Sequence, residues 1–581
     1  MVDNFVRMFE DSFRHNWNEP CFTDYETNKT LTYGQVAEQV EKLHIVFQKC
    51  GLKKDDNIAL IGRNSTNWAI AYIATITYGA VIVPILHDFH AKDVHHILRH
   101  SDSKFLFSSE VIWDHLDENE IGEVRVVLSL TDFSPLLVRM PKSALSDASD
   151  IAQSLEGVEQ QPAEEKACDF AGLSLDDLSH DAVQKAFDEK FGGVFHKDLI
   201  RYNYKDNEEL ASINYTSGTT GYSKGVMTAG RALASNAKFG LDEGLIKTGS
   251  RFVAFLPLAH AYGCAWDFLG SVCGGGHTWF ITKVPTPKVL MKAFAEVKPN
   301  NILSVPLIIE KIYKKQILPI ISKPSMNWVL SVRYLDELVL KQIRKQLVAA
   351  FGGEFEQIII GGAAINAEVE AFFEKLKFPF TIGYGMTETA PLVSYAHWTK
   401  FVPQSCGRIL KCMEARIANP NKEGVGEIEI KGDHVMLGYY KNEEATRASF
   451  TEDGWLKTGD LGFLDADQNL FIKGRSKTML LGPSGQNIYP EAIEDKLNNM
   501  PYVLESIVVQ RDGKLVALVY PDMDAVDAAG FTQADLPQEL DHVRKEVNQQ
   551  LASFEQISKI VVQTQEFQKT PKNSIKRYLY S

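Results

Sequence analysis

The sequence predicts an α/β protein: a large N-terminal domain of parallel β-α-β sheet subdomains, then a small α+β domain. Three observations carry this. Through the first third of the chain, helical periodicities alternate with short apolar strands. The run Ala80–Leu86 is apolar, largely β-branched and preceded by Gly79, as a strand buried on both faces is. Near the C-terminus, SIVVQ and LVALVY flank Arg511-Asp512-Gly513-Lys514, whose Asp-Gly pair signals a hairpin, with helical stretches on either side.

Taken in order, Thr32–Cys50 has helical periodicity with Thr32 as its cap, and Gly51 stops it. Asn57–Ile61 is a short apolar strand. Trp68–Leu86 is uncharged and near membrane-spanning length. Gly79 and Pro84 interrupt it, so it reads as a helix ending near Gly79 and a buried parallel strand, Ala80–Leu86, with peripheral membrane contact as the lesser alternative. A helix near Val94–His100 and a strand at Phe105–Ser108 complete a rhythm that predicts a parallel sheet covered on both faces. About 141–203 the chain turns acidic and poor in aromatic and β-branched residues. It reads as an inserted, solvated stretch with Leu173–Asp188 as its best helix.

Composition narrows the classes. At 581 residues the chain is too long for one core. A net charge of −14 gives nucleic-acid binding no electrostatic support. Seven scattered cysteines argue against a disulfide framework and for a cytoplasmic protein. Cys406 and Cys412 are the closest pair, fit no zinc spacing, and read as buried or incidental thiols. The N-terminus carries acids early and is no secretory signal.

The chemistry concentrates in Ser212–Met227. A strand-like lead runs into Thr216-Ser217-Gly218-Thr219-Thr220-Gly221, then Tyr222-Ser223-Lys224-Gly225. Glycine permits close backbone approach, and successive N–H groups, hydroxyls and Lys224 form an anion cradle. The spacing is not that of a P-loop. Further on, Ala254–Gly263 (AFLPLAHAYG) puts His260 on a loop after an apolar strand. Gln357–Phe373 is a strand, the turn Gly361-Gly362-Ala363 and a helix. Phe380–Glu388 (FTIGYGMTE) repeats that design with Gly383, Tyr384, Gly385, Met386, Thr387 and Glu388. Tyr384 suits stacking on a base, and Glu388 suits Mg²⁺, a hard cation. Gly426–Tyr440 reads as a hairpin-rich β stretch. Asp460 in WLKTGDLG is a carboxylate suited to accept two hydroxyls, although turn chemistry also favours Gly-Asp there, and FIKGRSK carries Arg475 and Lys477.

The Thr216 loop closely resembles the signature loop of the adenylate-forming superfamily (acyl-CoA synthetases, firefly luciferase, peptide-synthetase adenylation domains), written TSG(S/T)TGxPKG, with Ser223 where proline is usual. Motifs in the family's order from Tyr33 to Glu494 extend the resemblance over nearly the whole chain. The resemblance implies the adenylate-forming enzyme fold, with a β-barrel-like subdomain in an AMP-binding domain over 1–473 and a mobile C-terminal lid over 474–581. It implies ATP, Mg²⁺ and coenzyme A as cofactors. It assigns Thr216–Gly221 and Lys224 to phosphates, Gly361–Ala363 and Gly383–Thr387 to the adenine side, Thr216 and Glu388 to the metal, and His260 to the carboxylate pocket. Asp460 and Arg475 fall to the ribose or phosphate, and Lys477 to the hinge.

VPLIIEKIY resembles a segment of long-chain acyl-CoA synthetases, with Leu307 in place of arginine, and favours a medium- or long-chain fatty acid. A carrier-protein phosphopantetheine in place of coenzyme A is the alternative acceptor. At the chain's end, Ser574 stands where the family keeps its adenylation lysine. Lys572 or Lys576 is the substitute; failing both, the chain is a nucleotide- or acyl-binding protein with impaired catalysis.

Overall fold

A computed structural model describes residues 3–139, 173–216, 224–321, 335–481, 486–570 and 575–580. The principal sheet runs Gly438–Tyr439, Lys224–Ala229, Leu210–Thr216, Val81–Ile85, Asn57–Ile61, Phe105–Ser108, Val126–Ser129, Pro135–Val138. Its five central strands, from Leu210–Thr216 to Val126–Ser129, are parallel, and antiparallel strands close both ends. The sheet is therefore mixed at its edges, where the sequence pattern predicts only parallel pairing.

Alternation along the central strands supplies both faces. Ile58 and Leu60 join one apolar cluster with Phe105 and Phe107. Ala59 and Ile61 join another with Val81, Val83 and Leu106.

The helices follow their caps. Tyr33–Lys49 starts at a capping box in which Thr32 and Gln35 satisfy each other's backbone N–H groups. Thr66–Tyr78 ends at Gly79, whose φ of 90° only glycine adopts freely. Every residue from Trp68 to Thr77 is buried, so this apolar run is core and offers no membrane face. Among the described residues no helix is long and apolar enough to cross a membrane.

The acidic stretch lies partly outside the described residues, which resume at 173. Its helix runs His180–Phe191, later than the expected Leu173–Asp188. Asp176–Leu178 forms a separate 3₁₀ turn, and the Ser179 hydroxyl accepts the Ala182 N–H to start the helix. Val183 and Phe187 are buried, so one side of this helix is packed rather than solvated.

Two further parallel groups abut: Arg251–Ala254, His277–Phe280 and Pro20–Asp24, and Asn301–Ser304, Gln357–Ile360 and Phe380–Ile382. The Asn300 N–H bonds the Arg251 carbonyl where they meet.

An antiparallel sheet, Met413–Ala418, Gly426–Gly432, Leu456–Leu464 and Leu470–Arg475, continues into Arg408–Ile409 and Leu392–Tyr395. The join is an Arg408–Asn469 bridge and the Leu470 N–H to Gly407 carbonyl bond. This curved array is the barrel-like part. Within the expected hairpin stretch only Gly426–Gly432 belongs to it. Gly438–Tyr439 crosses to the principal sheet and pairs with Lys224–Ala229.

Residues 480–580 carry their own apolar clusters. Val503–Arg511 and Lys514–Pro521 form the hairpin, with Asp512 and Gly513 both at positive φ. Ile557–Val562 adds in parallel.

Trp68 is the largest fully buried side chain, stacked on Tyr72 and edge-on to Phe268. Trp68→Ala should cost about 3–5 kcal/mol. Denaturant titration followed by a probe in the N-terminal domain measures it.

Candidate active site

Thr216 and Lys224 face each other across two antiparallel strands, at the mouth of the loop that joins them. The Thr216 hydroxyl donates to the Lys224 carbonyl at 3.5 Å. Ser217, Gly218, Thr219, Thr220 and Gly221 lie outside the described residues.

The Lys224 ammonium sits 4.7 Å from the centre of the Tyr439 ring, a cation–π contact. The Tyr439 hydroxyl donates to Glu388 Oε1 at 2.9 Å. The Glu388 carbonyl in turn accepts the Met436 N–H at 2.9 Å. Burial, reinforced by Glu388, raises the Tyr439 hydroxyl well above the usual phenol range. Tyr439 therefore stays a neutral donor while Glu388 keeps a second oxygen for another ligand. Thr216 and Glu388 offer hard oxygen donors that fit Mg²⁺. Among the described residues no group of three or more His, Cys, Asp or Glu could cage a metal.

A second set centres on Asp460. It pairs in register with Arg475, whose Nε lies 3.1 Å from Oδ1, and it accepts the Tyr384 hydroxyl at 2.6 Å. Burial raises the Asp460 carboxyl above its ordinary value, although Arg475 and Tyr384 pull it down. Arg475 itself is exposed, and the carboxylate is not. Tyr384 is thus more than a flat face for a base: its hydroxyl orients Asp460.

The two glycine turns leave the same end of adjacent parallel strands, where ligands of open α/β sheets bind. The Gly361 N–H bonds the Ser304 carbonyl, and the Gly383 N–H bonds the Ile360 carbonyl. Gly362 adopts φ +89°, and a Cβ on Gly361 would lie 3.4 Å from the Tyr262 ring. Tyr262 is fixed by its hydroxyl's bond to the Ile359 carbonyl at 2.9 Å. Ala363 follows in the same turn. Met386 and Thr387 lead into the 3₁₀ turn that carries Glu388.

His260 caps the turn that opens Ala261–Gly263. Its loop is stapled by Asn64, which accepts the Leu258 N–H and donates to the Ala254 and Leu256 carbonyls.

Lys477 is exposed in the turn after Arg475. Lys572 and Ser574 lie outside the described residues. Lys576 is described, with its backbone N–H on the Gln568 carbonyl. The described contacts thus gather Lys224 and Glu388 around Tyr439, with Thr216 bonded to Lys224, and Tyr384 and Arg475 around Asp460. Lys477 and Lys576 join neither set through a described bond. Sequence reasoning missed Tyr439, Tyr262 and Asn64, because each matters through partners far away in the chain.

The tail's Arg577 pairs with Glu494, which also accepts the Val508 N–H at 2.6 Å. Burial raises the Glu494 carboxyl to about 7 despite Arg577.

This combination makes the place where the Gly438–Tyr439 strap meets the principal sheet a candidate nucleotide site in an α/β protein. The model of AMP-binding enzymes matches residues 9–440, and that of the AMP-binding enzyme C-terminal domain matches 478–580. The chain belongs to this adenylate-forming family. It is 27% identical to the long-chain-fatty-acid–CoA ligase FadD15 of Mycobacterium bovis, over 97% of this chain and 93% of the relative. It is 26% identical to the long-chain-fatty-acid–[acyl-carrier-protein] ligase AEE15 of Arabidopsis thaliana, over 85% and 72%. In fold it matches ATP-bound MatB from Rhodopseudomonas palustris, with a TM-score of 0.71 at 21% identity over 100% and 98% of the chains. It also matches the anthranilate CoA ligase AuaEII in complex with anthranoyl-AMP, with a TM-score of 0.73 at 17% identity over 100% and 96%.

Two predictions follow from this geometry. A Cβ on Gly385 would stand 1.8 Å from the Pro391 carbonyl oxygen, so Gly385→Ala should weaken nucleotide binding at least about tenfold, read by calorimetric titration. The folded-state pKa of Glu494 lies above its ordinary 4.5. From pH 4.5 to about 7 the unfolded chain ionises first, so lid stability should fall as pH rises and level off above 7. Hydrogen exchange at the Val508 amide, corrected for intrinsic rates, should show that decline, and Glu494→Gln should flatten it.

Proposed function

We propose that this protein activates a carboxylic acid, favouring a medium- or long-chain fatty acid, with ATP and passes the acyl group to coenzyme A. The reading is supported by two sets of contacts: Lys224–Tyr439–Glu388, whose side chains suit phosphate and metal, and Tyr384–Asp460–Arg475, whose side chains suit a ribose.

The substrate carboxylate must approach an anionic α-phosphate, so the barrier is largely electrostatic. Lys224 and the 216–221 loop hold the β- and γ-phosphates, which depart as pyrophosphate. Asp460 and Arg475 fix the ribose, the Gly361–Ala363 and Gly383–Thr387 turns receive the adenine, and His260 borders the carboxylate. Thr216 and Glu388 would hold Mg²⁺, which supplies charge neutralisation at the phosphates when bound. The N-terminal domain over 1–473 forms the mixed anhydride. The lid over 474–581 then turns about Lys477 to admit the thiol that displaces AMP. Lys572 or Lys576 takes the place of the lysine missing at Ser574.

The fatty-acid preference draws on VPLIIEKIY and on the long-chain relatives. The carrier-protein relative supports phosphopantetheine as a second acceptor.

Incubation with ATP, Mg²⁺, coenzyme A and a fatty-acid panel should release AMP and pyrophosphate, and no release with any acid would sink the reading. Holo-carrier protein in place of coenzyme A separates the two acceptors. Glu388→Gln should lower the adenylation rate by about 10²-fold or more, on the scale of lost transition-state electrostatic contacts. Lys572→Ala or Lys576→Ala should abolish adenylation. Rescue from near zero by Ser574→Lys would instead support the binding-protein reading.

A further inference from the structure

The described cysteines are free thiols; Cys21, Cys50 and Cys264 are buried, and Cys273, Cys406 and Cys412 are part-buried. Cys412 is set apart by its neighbour: its Sγ lies 3.5 Å from Nε2 of His434. His434 is fully buried, and its Nδ1 lies 2.6 Å from the Leu392 carbonyl. A carbonyl only accepts, so Nδ1 carries the proton and Nε2 presents its lone pair. Two donors face that lone pair: the Ser235 hydroxyl at 3.1 Å and the Cys412 thiol. Burial lowers the His434 pKa and raises the Cys412 thiol, with Asp433 adding to the latter, so the resting pair is neutral. This is a thiol beside an oriented base, outside the nucleotide site.

Its surroundings couple it to that site. The Cys412 carbonyl accepts the Asp433 N–H, which ties it to the strap of chain from Gly432 to Tyr440. Arg231 holds the same strap through the Asp433 and Val435 carbonyls. Two residues beyond His434, the Met436 N–H bonds the Glu388 carbonyl, and the Tyr439 hydroxyl bonds the Glu388 carboxylate. Anything that displaces His434 or Asp433 moves the support of Glu388.

We propose that Cys412 is a modification site for small disulfides, with His434 as its base, and that an adduct there switches off the nucleotide site through the 432–440 strap. In the exchange, the Cys412 proton passes to His434 Nε2 and the sulfur attacks one sulfur of the reagent. A Cys412–S–S–R bond forms, the reagent's S–S bond breaks, and the departing thiolate takes the proton from His434. Cys412 is oxidised to the mixed disulfide as the reagent is reduced to one thiol. The thiol chemistry is independent of the proposed activity; only the switching of turnover rests on it.

The test treats the full chain with oxidised glutathione. Peptide mass mapping should find the adduct at Cys412 ahead of Cys273 and Cys406, and ATP-dependent pyrophosphate release should fall at least tenfold and return with dithiothreitol. Cys412→Ser should keep its activity and resist the reagent. His434→Gln should slow labelling about tenfold. If that variant does not fold, Ser235→Ala should speed labelling severalfold, by leaving Nε2 to the thiol alone. Labelling elsewhere first, or a Ser235→Ala rate equal to the parent's, overturns the site. An adduct on Cys412 that leaves turnover unchanged overturns the switch. If the untreated enzyme turns over no substrate, the proposed activity fails while the labelling arms still decide the site.

Discussion

The site depends on one short piece of strand pairing. Gly438 and Tyr439 leave the barrel-like array and pair with Met227 and Val226 at the edge of the principal sheet. The Leu437 and Tyr440 N–H groups bond the Met227 and Gly225 carbonyls, so the backbone on both sides of Tyr439 is fixed. That fixes where its ring and hydroxyl lie. From there the side chain meets Lys224, at the mouth of the loop after Thr216, and Glu388, just past a glycine turn more than 160 residues further on. A hydrogen bond to a charged group contributes roughly 1.5–3 kcal/mol, enough to hold one carboxylate rotamer. Without the crossing strand, Lys224 and Glu388 would lose the tyrosine that both contact.

The same economy governs the ribose side. Asp460 is buried, and a buried carboxylate needs partners that stay in place. Arg475 supplies charge from the neighbouring strand, and Tyr384 supplies a neutral donor from a glycine turn. Burial keeps the Tyr384 phenol far above its ordinary pKa, so it remains a donor at neutral pH. Dipoles arranged before the substrate arrives need no reorganisation when charge develops. The glycines matter for a different reason. At Gly385 a side chain would stand 1.8 Å from the Pro391 carbonyl oxygen, so close approach of backbone to backbone, rather than flexibility, explains it.

Much of this was legible in the chain because it is local. Thr32, Gly79 and Asp512-Gly513 announce their turns and caps by residue type, and Phe105–Ser108 forms where its apolar run lies. The motif strings singled out Thr216, Glu388 and Asp460 as candidates by residue type and spacing. What escaped depends on long-range register. Gly438–Tyr439 is a two-residue strand, too short to carry a period, and nothing beside it names its partner. The start of the His180–Phe191 helix turned on one serine hydroxyl within an acidic run. Tyr384 looked like a stacking surface because its hydroxyl's partner is 76 positions away. Cys412 looked incidental because His434 and Ser235 come from other segments.

The lid shows the same logic in its interfaces. The described hydrogen bonds that tie it to the larger domain include Asn366 donating to Asp495 and Asn499, and Lys314 to the Asn498 carbonyl. Each such bond exchanges with water for a net 0.5–1.5 kcal/mol or so, whereas an apolar seam resists opening in proportion to its area. Burial raises the Asp495 and Glu310 carboxyls at this seam, so docking there desolvates acids rather than covering hydrocarbon. The tail is held in the opposite way. Arg577 is paired with a deeply buried Glu494, Lys569 with Glu505, and the Phe567 ring packs edge-on against Tyr580, all within the lid. The weak bonds lie between the domains and the strong ones within the lid. Residues 575–580 are therefore tied to the C-terminal domain by its own side chains.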